Sequence, residues 1–207
     1  MKRNGMKFVG RVLVAVSCVL GAASASQAGI INGSFEDIGN QTFQSGTWGL
    51  FDEIPGWKAA PGSSKIEIGR GSVYGISGYH EENVLELDST SNAVISQIVA
   101  VDGGLYDLSF LGARRNNVAG ASATFDVFWN NVLVGSYTPS ATSMALYTKT
   151  VTAQASNTLS FVGTGTSDSY GALIDNVQLT AVPDAGVTGL LFGMAVAGLA
   201  GLRRRMR

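Results

Sequence analysis

The sequence predicts an all-β fold, either a sandwich or a barrel, and two observations support this class. Short segments in which apolar and polar residues alternate recur along residues 29–181, separated by clusters of Gly, Asn, Ser and Asp, and such alternation is typical of half-buried strands. No stretch in that range has helical periodicity for more than a turn. The range is long enough for one domain with a substantial core, and no internal repeat or long linker divides it.

The first 28 residues have the organisation of a secretory signal peptide. Basic residues precede an apolar run over residues 12–23, and small residues follow at Ser26 and Ala28. This order predicts export and cleavage after Ala28. The alternative is a lipoprotein signal that uses Cys18, but Ala15-Val16-Ser17 is a poor context for lipid attachment. Cleavage after Ala28 would remove the sole cysteine, so we expect no disulfide in the exported domain.

Alternation is clearest in two segments of the predicted domain. Residues 106–110 place Tyr, Leu and Phe on one face, and residues 125–129 do the same with Phe, Val and Trp. Trp129 is therefore expected in the core. Asn130-Asn131 predicts a two-residue hairpin turn, because Asn tolerates the positive φ angles that such a turn requires. Further strands are predicted at residues 65–68, 84–87, 93–101, 146–152, 158–162 and 171–180.

The C-terminal segment, residues 182–207, combines three features in a fixed order. A short polar motif at 182–186 is followed by an uncharged apolar stretch at 187–202 and by Arg203, Arg204, Arg205 and Arg207. As a helix, the apolar stretch would cover about 24 Å, against about 30 Å for the hydrocarbon core of a membrane. It is therefore predicted to be a thin transmembrane anchor. Arginine clusters prefer the cytoplasmic side, so the chain before residue 182 is expected outside.

This arrangement resembles the PEP-CTERM type of bacterial sorting signal, in particular the variant whose motif begins with Val-Pro-Asp. The motif here is Val182, Pro183, Asp184, Ala185 and Gly186, where family members more often have Pro-Glu-Pro or Val-Pro-Asp-Ser-Gly. The resemblance implies recognition by a membrane-embedded exosortase, removal of the helix, and delivery of the rest to the cell surface or the exopolysaccharide matrix. The catalytic cysteine would belong to the exosortase, so this chain is the substrate.

Charge is distributed unevenly along the chain. The two ends hold eight of the 14 basic residues and none of the 15 acidic ones, so residues 29–186 have a formal net charge of −9, which the −1 of the whole chain conceals. An acidic domain argues against nucleic-acid binding, since that requires a cationic face. It suits the capture of cations or of neutral ligands.

Asp175 is a candidate cation ligand. It shares its strand phase with Leu173, Val177 and Leu179, and a carboxylate buried among them is costly unless something neutralises it. A hard cation with oxygen ligands would do so. The alternatives are a hydrogen bond from a main-chain amide and an ion pair with Arg114.

The order of short motifs over residues 30–179 resembles the galactose-binding-like jelly-roll domains of exported bacterial proteins, a fold shared by many carbohydrate-binding modules. Two of these motifs are Asn32-Gly33-Ser34-Phe35-Glu36 and the last strand around Asp175. The resemblance implies a jelly-roll β-sandwich. In related modules an early Glu after Asn-Gly-x-Phe and an Asp in the last strand hold a structural calcium ion, which implies Ca²⁺ binding by Glu36 and Asp175. The alternative for Glu36 is a solvated side chain.

A sugar site needs aromatic faces for stacking and planar polar side chains for hydroxyl groups. The residues expected to contact a polysaccharide are Trp57, Glu86, Asp88 and Arg115. Trp57 follows a Pro-Gly turn and could instead plug one end of the sandwich. Arg115, like Arg114, could instead pair with Glu86, Asp88 or Asp175.

No catalytic signature is found in the sequence. His80 is the sole histidine and is expected in an exposed loop, without the second histidine of a zinc motif. Glu81 and Glu86 could form a glycosidase pair, but acidic pairs arise by chance among so many acidic residues. The sequence therefore predicts a carbohydrate-binding protein of the cell surface or matrix rather than an enzyme. The alternatives are a structural or adhesive matrix protein with no small ligand and, third, a glycan-active enzyme.

Overall fold

A computed structural model describes residues 29–183. The predicted signal peptide (1–28), the motif residues Asp184, Ala185 and Gly186, the predicted transmembrane stretch (187–202) and the basic end (203–207) lie outside the described residues. Within the described part, no helix has the length and apolar character needed to span a membrane.

The described residues form twelve strands and two short 3₁₀ helices, Gly71–Tyr74 and Gly120–Ala123. The strands are β1 (Trp48–Phe51), β2 (Glu53–Ile54), β3 (Trp57–Ala59), β4 (Ile66–Arg70), β5 (Asn83–Glu86), β6 (Val94–Val99), β7 (Gly104–Arg114), β8 (Phe125–Trp129), β9 (Val132–Tyr137), β10 (Ala145–Ala153), β11 (Asn157–Gly163) and β12 (Ala172–Ala181). Every predicted strand is confirmed, to within a few residues at each end.

The strands form two six-stranded antiparallel sheets. Sheet A has the order β1-β4-β5-β12-β7-β10, and sheet B has the order β2-β3-β6-β11-β8-β9. From β5 onward the chain passes repeatedly from one sheet to the other, so that consecutive strands are seldom neighbours. This exchange between two packed sheets is the jelly-roll type of β-sandwich, and the predicted fold class is confirmed.

The core lies between the inner faces of the two sheets and contains a cluster of aromatic rings. Phe110 of β7 meets Phe161 of β11 edge to face, with ring centroids 5.3 Å apart, and meets Phe125 of β8 at 6.0 Å. Such geometries are favourable beyond the burial of area alone. Trp129 is 3% exposed and donates its indole N–H to the carbonyl of Thr152, which confirms its predicted place in the core.

The Asn130-Asn131 turn joins β8 to β9 as predicted. Both residues have positive φ angles, 52° and 63°, as a type I′ turn requires. The three strands that the sequence did not predict, β1 to β3, are two to four residues long.

The strand phase predicted around Asp175 is correct for Leu173 but wrong for the residues after Asp175. A β-bulge shifts the register of β12 between Asp175 and Gln178, and Asn176 at the bulge has a φ of 47°. Ile174 and Val177 consequently both enter the main core, whereas Leu173 packs in a second, smaller cluster on the other face of sheet A. Since residues alternate before the bulge, Asp175 shares a face with Leu173 but not with Val177 or Leu179.

Candidate functional site

Three carboxyl groups are buried at one end of sheet A. Glu67 on β4 and Glu86 on β5 are direct cross-strand neighbours, and Asp88 follows two residues after Glu86. Their exposures are 6%, 0% and 0%, respectively. Because a buried carboxylate is costly unless it is paired, hydrogen-bonded or protonated, the groups around this row determine its chemistry.

Arg115, directly after β7, is the cation nearest to this row. Its Nη1 lies 3.1 Å from Oε2 of Glu86, and the main-chain N–H of Gly171 donates to Oε1 of the same carboxyl group over 2.9 Å. The guanidinium carbon is 5.0 Å from the ring centroid of Tyr74 and 4.8 Å from that of Tyr170. Arg115 therefore makes cation–π contacts with two tyrosines, and of the three carboxylate partners named for it, Glu86, Asp88 and Asp175, it pairs with Glu86.

Burial changes the protonation of the acidic row. It raises the pKa of Glu86 to about 9, helped by the negative charge of Glu67 and opposed by Arg115. Burial also raises the pKa of Glu67, although hydrogen bonding to Glu86 and to the Tyr74 hydroxyl opposes this rise. Two adjacent carboxyl groups that cannot both ionise retain one proton between them. At neutral pH we therefore expect Glu67 and Glu86 to share one proton.

A surface cavity of about 260 Å³ opens beside Arg115. Its polar and aromatic lining comprises Tyr74, Arg115, Asn116, Asn117 and Tyr170; we call these five residues the arginine pocket. Tyr170 is 45% exposed, whereas Tyr74 is buried and donates its hydroxyl to Glu67 over 3.1 Å. The pocket combines an accessible ring, a fixed guanidinium group and two amide side chains, which together can stack on and hydrogen-bond a polar ring.

The four residues predicted to contact a polysaccharide are not together at one surface. Arg115 lines the arginine pocket, and Glu86 lies beneath it, bonded to Arg115. Asp88 is fully buried and accepts from the main-chain N–H groups of Asp168 and Ser169 over 2.8 and 3.1 Å. Burial excludes both carboxylates from direct contact with a surface ligand.

The prediction for Trp57 requires correction. Its ring is 1% exposed, packs against Phe35 and Phe161, and donates its indole N–H to the carbonyl of Asn32. The turn at Pro55-Gly56 folds it inward, since Gly56 takes a φ of 84°. It plugs the sandwich and offers no face to a ligand.

Tyr170 was missed as the partner of Arg115, and strand pairing explains their proximity. Arg115 directly follows β7 and Tyr170 lies two residues before β12, and these two strands pair with Arg114 opposite Ala172. The sequence signal was the position of each residue at a strand end, which becomes informative only when the neighbouring strands are known.

The two predicted calcium ligands, Glu36 in the first described segment and Asp175 on β12, both accept hydrogen bonds from the loop before β5. Asp175 is fully buried and accepts from the main-chain N–H groups of His80 and Asn176. Glu36 accepts from those of Glu82 and Asn83, over 3.0 and 2.7 Å. Burial raises the pKa of Asp175 to about 7, and the two N–H donors oppose the rise. The main-chain alternative named for Asp175 is thus present, whereas Arg114 directs its Nη1 to the carbonyl of Val118.

The oxygen atoms around Glu36 and Asp175 show how well this region suits a calcium ion. Oδ1 of Asn83, a residue that is 5% exposed, is buried without a hydrogen-bond partner and belongs to the residue whose N–H binds Glu36. Carboxylate and amide oxygens are the ligands that calcium takes. Within residues 29–183 no three His, Cys, Asp or Glu side chains converge, so a calcium ion here would also need amide and main-chain oxygens. Glu36, Asn83 and Asp175 supply oxygen atoms of the kind that such a site uses.

The arrangement offers little to a hydrolase. Glu86 is fully buried and its nearest acidic neighbour is Glu67 rather than Glu81, which lies in an exposed loop with His80. Exposed large aromatic side chains of the described part are limited to Trp48 and Tyr170. No aromatic cluster therefore lies on the outer faces of the described sheets.

Comparisons with known proteins found matches both to the C-terminal segment and to a longer region of the chain. The family model for the VPDSG-CTERM motif matches residues 181–206. A region of 127 residues, 59% of this chain, is 34% identical to part of the multifunctional-autoprocessing repeats-in-toxin protein of Vibrio vulnificus. The chain spans about 2% of the length of that relative.

Among solved structures, the CBM35 from Paenibacillus barcinonensis matches with 20% identity and a TM-score of 0.42, over 66% of this chain and 100% of that one. A family 35 carbohydrate binding module from Clostridium thermocellum matches with 18% identity and a TM-score of 0.41, over 52% and 84%. The jelly-roll assignment itself rests on the strand order of this chain. The chain thus carries a VPDSG-CTERM motif at residues 181–206, directly after a jelly-roll β-sandwich.

Proposed function

We propose that this protein is exported to the cell surface or extracellular matrix and that its sandwich binds polysaccharide at the arginine pocket. The observation that supports binding is Arg115, held by Glu86 and in contact with the rings of Tyr74 and Tyr170 at the edge of a cavity. The Arg115 side chain is already held in one conformation before binding, so a ligand does not have to offset its loss of conformational entropy.

A sugar fits the chemistry of this pocket. The exposed ring of Tyr170 offers an apolar face, and the guanidinium group and the amides of Asn116 and Asn117 can donate hydrogen bonds to hydroxyl groups. Glu86 removes part of the charge of Arg115, which favours hydroxyl-rich glycans over strongly anionic ones.

The binding experiment is a glycan-array screen of the full-length protein in detergent, followed by titration of the best glycan. Tyr170→Ala should weaken binding about tenfold, equivalent to about 1.4 kcal/mol, since it removes the stacking face. Trp48→Ala is the matched control, because Trp48 is similarly exposed, at 36%, but does not line the pocket. Equal affinity of wild type and Tyr170→Ala would place the site elsewhere.

The sorting motif supports the proposal of export and processing. An exosortase would act near residues 182–186, remove the apolar segment and release the sandwich from the membrane. Mass spectrometry of surface-extracted protein should find no residue much beyond Gly186, and a released form that retains Arg207 contradicts the proposal. Replacing Arg203, Arg204 and Arg205 by Ser should impair anchoring before processing, because positive charge keeps the end inside.

We also propose a structural calcium ion held by Glu36 and Asp175. The buried carboxylate of Asp175 and the unpartnered oxygen of Asn83 support it. The ion would hold the first described segment against β12, and thereby join the two ends of the domain.

The second candidate function is a structural or adhesive role in the matrix without a small ligand. The absence of an aromatic cluster on the outer sheet faces of the described part favours it. A glycan screen without any hit, from protein that is folded and correctly sorted, would favour this role over carbohydrate binding.

A further inference from the structure

Two buried oxygen atoms without hydrogen-bond partners lie on the turn that joins β5 to β6. They are Oδ1 of Asp88 and Oδ1 of Asn92, and these two residues face each other across a single antiparallel bridge. Asp88 is 0% exposed. A buried carboxylate oxygen that accepts no hydrogen bond is costly, and a second one from an amide beside it adds to that cost.

Both side chains bind the same segment, the loop between β11 and β12. Oδ2 of Asp88 accepts from the N–H groups of Asp168 and Ser169, and Nδ2 of Asn92 donates to the carbonyl of Gly165 over 2.9 Å. This last bond fixes the orientation of the amide, so that its oxygen is the atom left over. A Cβ on Gly163 would lie 3.1 Å from that oxygen, which shows how closely the end of β11 approaches the turn.

Nothing in the described part supplies a positive charge to Asp88. None of the ion pairs there involves it. Arg115 pairs with Glu86, and Arg114, the last residue of β7, binds the carbonyl of Val118. The turn therefore presents a buried carboxylate and an amide oxygen, both unused, in an acidic domain.

From these contacts we propose a cation site between the β5–β6 turn and the β11–β12 loop, with Asp88 Oδ1 and Asn92 Oδ1 as ligands. An oxygen-only ligand set with flexible loop geometry suits calcium. The N–H of Asp168 already contacts Asp88 and its Oδ2 accepts from the hydroxyl of Ser122, so its Oδ1 is available to complete the shell. This site is separate from Glu36 and Asp175 and does not depend on the arginine pocket.

The site would position Tyr170. Asp168 and Ser169 are bound to Asp88, Tyr170 stacks on Arg115, and Gly171 donates to Glu86. A cation under this loop would therefore hold the one exposed ring of the arginine pocket in place without contacting the ligand itself.

The first test counts calcium ions bound to the full-length protein in detergent, after removal of metal by chelation, using equilibrium dialysis. Wild type should bind one more ion per chain than Asp88→Asn. In the Asp175→Asn background, which removes the other proposed site, calcium should still bind and should be lost on adding Asp88→Asn. Unchanged binding by Asp88→Asn, or no binding by Asp175→Asn, overturns the proposal and leaves ordered water alone at this turn.

The second test uses opposite signs to separate a cation from water. In chelator, Asp88→Asn should melt at the same temperature as wild type or higher, because it removes an uncompensated buried charge; in calcium, its upward shift should be smaller. Asn92→Asp should melt lower than wild type in chelator and shift further upward in calcium. If calcium raises the melting temperature of both variants by the same amount as that of the wild type, the proposal is overturned.

Discussion

Glu86 and Asp175 are both fully buried carboxyl groups in sheet A, on the paired strands β5 and β12, yet the protein surrounds them differently. Glu86 has an arginine, one main-chain N–H and a second carboxyl group as neighbours. Asp175 has two main-chain N–H groups and no arginine. Burial is the largest cause of a raised pKa at both, to about 9 and about 7 respectively.

These different surroundings suit the two regions to different roles. The side chain that compensates Glu86 is itself about a quarter exposed, at 24%, so its region opens into a surface pocket. Asp175 is compensated by two main-chain amides, that of His80 in the loop before β5 and that of Asn176 in β12, rather than by a charged side chain beside a surface pocket. The first region is suited to recognition and the second to holding the fold together.

The largest expected effect is on the Glu86 region. Arg115→Leu should lower the free energy of unfolding at pH 7 by about 3 kcal/mol, near the lower end for removing one partner of a buried pair, since Glu86 can hold a proton instead. Urea denaturation measures it. Arg70→Leu is the control, because Arg70 and Glu82 are 45% and 67% exposed and lie 3.8 Å apart, so we expect less than about 1 kcal/mol. Equal losses would show that Arg115 adds no stability beyond a surface pair.

The Asp175 region should respond to calcium instead. At a hundredfold excess of calcium over Kd, wild type should gain about 2.7 kcal/mol of unfolding free energy, and more than with magnesium, which demands stricter geometry. Asp175→Ala should remove this gain and Glu36→Ala should reduce it. Thermal unfolding with calcium and with chelator measures both. A melting temperature unaffected by chelation, together with a calcium response that survives in Asp175→Ala, contradicts the site.

The Glu86 region should also respond to pH. Below about pH 4.5 Glu86 is protonated in both states; between there and about pH 9 the folded state keeps a proton that the unfolded state has lost. The unfolding free energy should therefore fall as pH rises across this window. From pH 5.5 to 8.5 in chelator we expect a loss of about 2 kcal/mol, against a limit of about 4 kcal/mol for one whole proton over this range.

Glu86→Gln should flatten that profile, since glutamine does not titrate. The exposed Glu82→Gln variant should keep the wild-type slope. Asp175 contributes with the same sign between about pH 4 and about 7, so a residual slope confined to the lower half of the range is expected in Glu86→Gln. An unchanged slope in Glu86→Gln would assign the proton to another group.

The smallest expected effect concerns Tyr170. Because its ring contacts Arg115 at an exposed position, Tyr170→Ala should cost about 0.5–1 kcal/mol of unfolding free energy. We expect this variant to lose glycan affinity while its calcium response at Asp175 stays at the wild-type value. A stability loss as large as that of Arg115→Leu would make Tyr170 part of the core instead.

Much of the fold could be predicted from the sequence because half-buried strands show a regular alternation of apolar and polar residues. β7 and β8 alternate so regularly that their inward faces, with Phe110 and Phe125, were predictable. β1 to β3 were missed because two to four residues are too few to establish a period. The bulge at Asn176 was missed for a different reason: a positive φ at a single Asn has no periodic signature, yet it moves Val177 to the opposite face.

The candidate site was only partly predictable. Charge predicted that Arg115 would pair with a carboxylate but left Glu86, Asp88 and Asp175 as alternatives, and only the structure identifies Glu86. The contact of Tyr170 with Arg115 could not be deduced, because it depends on β7 lying next to β12. Trp57 was misplaced because the Pro-Gly turn before it, which indicates only a change of direction, folds its ring inward.

The position of β12 has a geometric consequence. Tyr170 lies two residues before this strand, and Val182 lies directly after it, with its N–H bonded to the carbonyl of Leu105 over 2.9 Å. Ten strand residues at about 3.4 Å each separate the two ends by about 34 Å. A molecule tethered through its C-terminal segment is thus held at one end of β12. The arginine pocket lies at the other end and is directed away from the surface that holds the molecule.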